Sequence, residues 1–101
     1  MSTNATIKIE GIDFCKLYKH WDGYQEATLP WLEKFNEKFT KERGDDATYK
    51  MAQLIRSSSS MGKEFNLDGS TSTGWGVFSY DDYEGEFEYT LKSDGTVTVK
   101  V

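Results

Sequence analysis

The chain has 101 residues, 29% of them charged and 15% Phe, Trp or Tyr, with a formal net charge of −5. That length suits one small domain, residues 1–101, with a single core, and the aromatic content argues for a globular chain. The negative charge weighs against a general nucleic-acid binder, and the lone cysteine, Cys15, excludes an intramolecular disulfide.

A reducing compartment is the expected setting for a single thiol. No apolar run approaches the ~18–20 residues of a bilayer span, and residues 1–10 lack a signal-peptide stretch. A cytoplasmic protein is therefore expected.

From Ala5 to Glu10 the chain alternates, with Ala5, Ile7 and Ile9 opposite Thr6, Lys8 and Glu10, as in a half-buried strand. Gly11 marks a turn, and Ile12 to Trp21 reads as a second strand. Its facing is ambiguous: Ile12, Phe14, Tyr18 and His20 share one parity, Cys15, Leu17, Lys19 and Trp21 the other. Either both faces are covered or a bulge shifts the register.

Asp22-Gly23 breaks the strand. Thr28 is the expected N-cap of a first helix, with Pro30 in its first turn and Gly44 just past its end. Leu29, Leu32, Phe35, Asn36 and Phe39 fall on one side of it. Asp45 or Asp46 caps a second helix whose apolar stripe is Ala47, Met51, Leu54 and Ile55, continued by Ser58. The short link predicts an antiparallel helix pair.

Residues 62–74, rich in Gly, Ser and Thr, read as a flexible loop. Three strands follow, over Gly74–Tyr80, Glu84–Lys92 and Thr96–Val101, the last two joined at the hairpin signal Asp94-Gly95. The order is ββ-αα-βββ. The expected fold is α+β: a five-stranded antiparallel sheet with the helix pair packed on one face.

Candidate chemistry concentrates at Lys19-His20-Trp21-Asp22-Gly23-Tyr24, which holds the only histidine. Trp21 and Tyr24 offer rings for stacking, Lys19 and His20 can donate to a phosphate, and Asp22 can accept from a ribose hydroxyl. Arg56, Ser58 and Trp75 are the expected partners, with Lys63, the serines from Ser57 to Ser60 and the hydroxyls of loop 68–76. The plainer alternative has the rings closing the core edge and Asp22-Gly23 serving only as a turn.

Cys15 and His20 fall on opposite strand faces, which disfavours a catalytic dyad, and no Gly-x-Ser-x-Gly elbow occurs. One His and one Cys do not supply the usual zinc sets. Asp81, Asp82, Glu84, Glu86 and Glu88 lack calcium-loop spacing. They read either as a solvated strand face or as a phosphate-mimicking stripe that docks on a basic partner. No enzyme, cofactor or metal is expected.

Three segments, Ile7-Lys8-Ile9-Glu10-Gly11, Tyr18-Lys19-His20-Trp21-Asp22-Gly23-Tyr24 and Thr73-Gly74-Trp75-Gly76-Val77-Phe78, resemble a family of short, largely uncharacterised phage and prophage proteins. These carry a basic-His-Trp-Asp-Gly-Tyr-Pro segment after an opening hairpin; Gln25 stands here in place of the proline. The resemblance implies a counter-defence role. Two expectations follow. The first is a non-enzymatic sponge, holding a small anionic nucleotide-like ligand at Lys19–Tyr24, Arg56, Ser58 and Trp75. The second is an acidic inhibitor that docks on a host or defence protein through Asp81–Glu88. A homodimer completing the site is a further expectation.

Overall fold

Ala5, Ile7 and Ile9 are buried and sit at the centre of the molecule, as their alternation predicts. The computed structural model describes residues 3–58 and 74–101. Its elements are β1 (Ala5–Ile9), β2 (Cys15–Lys19), α1 (Gln25–Arg43), α2 (Ala47–Ser58), β3 (Trp75–Ser79), β4 (Phe87–Leu91) and β5 (Val97–Lys100). The five strands form one sheet in the order β3-β2-β1-β4-β5. The α+β class is as expected.

The sheet is mixed, which corrects the antiparallel expectation. β1 pairs with β4 in parallel, from Ala5 opposite Phe87 to Ile9 opposite Leu91. β1–β2, β2–β3 and β4–β5 are antiparallel. The cause is the route between β3 and β4. Residues 80–86 do not turn a hairpin; they run diagonally over the sheet, past β2 and β1. Lys16 Nζ donates to the Asp82 carbonyl (2.8 Å), the Gly85 amide to Thr6 Oγ1 (3.4 Å), and the Glu86 amide to Asn4 Oδ1 (3.0 Å). Gly85 passes so close to β1 that a Cβ there would lie 2.8 Å from the Ala5 backbone.

This crossover resolves the ambiguous facing of β2, because both of its faces are covered. Leu17 and Lys19 face the helices with Ile7 and Ala5, and Lys16 is buried on the other side beneath the crossover. Below, the two sides are called the helix face and the back face.

On the helix face, α1 lies over β4 and β5, and α2 over β1. Leu32, Met51 and Leu54 pack with Ile7, Leu17, Tyr89 and Leu91 in one core. Each such side chain contributes roughly 1.5–3 kcal/mol by leaving water. Asn36 Nδ2 donates to the carbonyls of Lys92 (2.9 Å) and Thr96 (2.8 Å), fixing α1 to the β4–β5 hairpin.

Several helix details differ from expectation. α1 starts at Gln25, and the Tyr24 carbonyl accepts the first helical N–H bonds from Ala27 and Thr28. Thr28 is thus not the N-cap; it lies in the first turn, and its hydroxyl donates to the Asp22 carbonyl (2.6 Å). Gly44 closes the helix at φ 72°, as predicted. In α2, Lys50 joins the buried stripe, while Ile55 is 41% exposed. The stem of Lys50 is long enough to run under α1 and bring Nζ to the Lys92 carbonyl (3.3 Å). No helix among the described residues is long and apolar enough to cross a membrane.

Candidate functional site

The turn after β2 is held from four directions. Asp22 adopts φ 56°, a left-handed conformation that Asp tolerates better than most residues. Gly23 donates its amide to the Thr3 carbonyl (2.8 Å) and accepts from the Tyr89 hydroxyl (2.6 Å). A Cβ on Gly23 would lie 2.7 Å from the Asn4 backbone, so only glycine fits. The His20 amide donates to the Gly74 carbonyl (2.7 Å), and the Trp21 ring lies directly over Gly74.

This rigid turn sends the predicted ligand residues to different places. Lys19 is only 7% exposed, on the helix face, with Nζ donating to the Trp21 carbonyl (2.6 Å) and 5.5 Å from the Trp75 ring centre. Burial lowers its pKa, against the opposing pull of Asp22. Lys19 and Trp75 are therefore brought together, but as a packed pair with the ammonium already committed. Trp75 also meets Trp31 at 6.3 Å between ring centres.

His20 and Trp21 belong to the other side. The Tyr18 hydroxyl and His20 Nδ1 share a 2.6 Å hydrogen bond, and the rings of His20 and Trp21 meet edge to face at 5.1 Å. Tyr18 stacks on Phe78 at 4.8 Å and 5°, and Tyr83 of the crossover stands edge-on against both. The result is a continuous run of rings, Trp21–His20–Tyr18–Phe78–Tyr83, along the back face. Trp21 is 46% and Tyr83 44% exposed. Tyr24, at the start of α1, is exposed as well.

The acidic residues flank this run, since Tyr83 sits between Asp82 and Glu84. Asp81, Asp82, Glu84 and Glu86 are all exposed. They do not form one strand face with Glu88, because β4 begins only at Phe87. Glu88 is instead engaged inside the sheet, 3.3 Å from Lys8 Nζ and accepting from Thr6 Oγ1 (3.2 Å). Burial alone would lower the Lys8 pKa, but Glu88 and Tyr80 outweigh it and hold the ammonium above its ordinary value. Glu84 lies 3.3 Å from Lys100, both well exposed.

Arg56 and Ser58 lie at the end of α2. The Ser58 hydroxyl donates to the Ile55 carbonyl (2.7 Å), and Arg56 lines a groove between α1 and α2 that includes none of Lys19–Tyr24. Ser59, Ser60, Lys63 and the loop up to residue 73 fall outside the described residues. Cys15 packs beside the core on the helix face, away from His20. Among the described residues no group of three His, Cys, Asp or Glu is placed to hold a metal ion.

Sequence reasoning missed Tyr18, Phe78 and Tyr83. The shared parity of Tyr18 and His20 pointed to half of the cluster; nothing local indicated that Tyr83 returns over them. Comparisons with protein-family models, curated proteins and solved structures gave no match to this chain.

Proposed function

We propose that this is a non-enzymatic binding protein that docks on a basic surface of another protein through the back face of its sheet. The observation that carries this is Tyr83 seated against the Tyr18–Phe78 stack, which sets exposed carboxylates beside exposed rings. Aromatic anchors with a charged rim are the composition of protein interfaces, and Trp and Tyr dominate their binding energy. An arginine of the partner would find a ring face for its guanidinium and carboxylates for its N–H groups in the same place. The chain's net charge of −5 would speed approach to such a surface. With the phage-type resemblance, the partner class is a host or defence protein whose own function requires a basic patch.

The alternative is sequestration of a small nucleotide-like ligand at Lys19–Tyr24. The exposure of Trp21 and Tyr24 favours it. Against it stands Lys19, which is only 7% exposed and lies on the helix face beside Ala5, away from the His20 ring.

Capture from host lysate, followed by titration of the purified partner at low and high salt, tests the first idea. Affinity should fall steeply with salt, and Tyr83→Ala, Trp21→Ala and the double change Glu84→Lys with Glu86→Lys should each weaken it about tenfold or more. Affinity indifferent to all three variants would end it. Calorimetric titration with linear and cyclic nucleotides tests the alternative: saturable heat that Trp21→Ala abolishes would revive it.

A further inference from the structure

β3 is one edge of the sheet and pairs with β2 alone among the described strands. Two bonds bracket that pairing: the His20 amide to the Gly74 carbonyl (2.7 Å), and the Tyr80 amide to the Phe14 carbonyl (3.3 Å). Bonded pairs alternate along an antiparallel ladder, so Gly76 and Phe78 turn their N–H and C=O groups inward, to Tyr18 and Lys16. Trp75, Val77 and Ser79 therefore turn theirs outward. The Ser79 carbonyl accepts from the Asp82 amide (3.0 Å), but none of the described residues bonds to the outward groups of Trp75 or Val77.

The opposite edge, β5, is guarded by the charge of Lys100. β3, Trp75-Gly76-Val77-Phe78-Ser79, holds no charged residue. Its middle side chain, Val77, is 57% exposed although it shares the helix face with buried Leu17. An uncharged edge with an exposed apolar centre is a template for another strand.

Self-pairing is the arrangement its chemistry fits. In the antiparallel sense, about a two-fold axis at Val77, each outward N–H meets an outward C=O: Val77 faces its counterpart and Trp75 faces the partner's Ser79. Asp81 and Asp82 closely follow β3, and the antiparallel sense sets these two acidic turns at opposite ends of the pair, which keeps their carboxylates apart. The union also closes on itself, because both remaining edges are then β5 with its Lys100.

We propose that β3 pairs with β3 of a second copy of this chain, joining the two into a dimer with one continuous sheet. The dimer does not rest on the protein-docking function of the back face.

Sedimentation velocity of the intact chain, with amide hydrogen exchange at low and high concentration, provides the test. Mass should rise from 11.6 kDa toward twice that value by about 100 μM. The amides of Trp75 and Val77 should then exchange about tenfold or more slowly than in dilute solution, while those of Gly76 and Phe78, already bonded to β2, change little. Val77→Lys should weaken the dimer about tenfold or more, and Val77→Thr should keep it. Added salt should not weaken it, in contrast to docking on a basic surface. Circular dichroism shows whether each variant keeps the fold, and the exchange measurement on the unaltered chain carries the test if Val77→Lys does not. Tyr83→Ala, on the back face, should leave the dimer intact while lowering affinity for the basic partner, so either surface can fail alone. A mass fixed at 11.6 kDa, a dimer undiminished by Val77→Lys, or a Val77 amide whose exchange is independent of concentration would overturn the proposal.

Discussion

The hydroxyl of Tyr89, in the buried centre of β4, donates a 2.6 Å hydrogen bond to the carbonyl of Gly23, in the turn that leads into α1. It ties the parallel strand pair to the one glycine that fits against Asn4 and Ala5. Burial first, and the nearby Glu26 second, push this phenol up to about 12 from 10.0.

An unfolded chain ionises Tyr89 near pH 10, whereas the folded chain holds its proton until about 12. The resulting stabilisation is whole below pH 10 and is lost as pH rises to about 12, a change of about 2–3 kcal/mol. Tyr89→Phe should cost about 1–3 kcal/mol at neutral pH, by leaving the Gly23 carbonyl unpaired. It should also lack this part of the alkaline decline. Urea denaturation of both proteins across that range checks it; parallel declines would refute the assignment.

Lys19 predicts the opposite slope. Its folded pKa is lowered by burial, so the native state binds fewer protons than the unfolded chain. Wild-type stability should therefore gain relative to Lys19→Met as pH rises toward 10.5, the value of the unfolded side chain. Lys19→Met should also leave partner affinity within about twofold, because its ammonium is already bonded to Trp21. A tenfold loss of affinity would return Lys19 to the binding surface.

Asn36→Leu keeps the volume of the side chain but removes the donors to Lys92 and Thr96. Each carbonyl retains a backbone donor, Gly95 on Lys92 and Lys92 on Thr96. The cost should then be about 1–3 kcal/mol in all, not for each carbonyl. Faster amide exchange in the β4–β5 hairpin should accompany it, and an unchanged denaturation midpoint would contradict it.

The carboxylates separate by role. Glu84→Lys should change stability by no more than about 0.5 kcal/mol, since its pair with Lys100 is well exposed. Glu88→Lys should cost several times more, because it sets a cation against Lys8 where there is little solvent. Thermal melts distinguish them. Partner affinity should follow Glu84 and Glu86; loss caused by Glu88→Lys beyond its unfolded fraction would reassign the surface.

The sequence by itself determined what depends on neighbours a few positions apart. The alternation at Ala5–Ile9 gave the central strand, and the stripe through Leu32 and Phe39, closed by Gly44, gave α1. Asp94 caps the hairpin turn through the Thr96 amide (3.0 Å) and hydroxyl (2.6 Å). Tertiary structure alone decided which strands meet. The diagonal path of residues 80–86 makes β1 and β4 parallel, buries Lys16, and brings Tyr83 onto Tyr18 and Phe78. The pairing of Lys19 with Ala5 and Trp75 decided that it faces the helices. Contacts between residues more than fifty positions apart leave no periodic trace in either segment; they are set by which arrangement buries the most apolar surface with its polar groups still bonded.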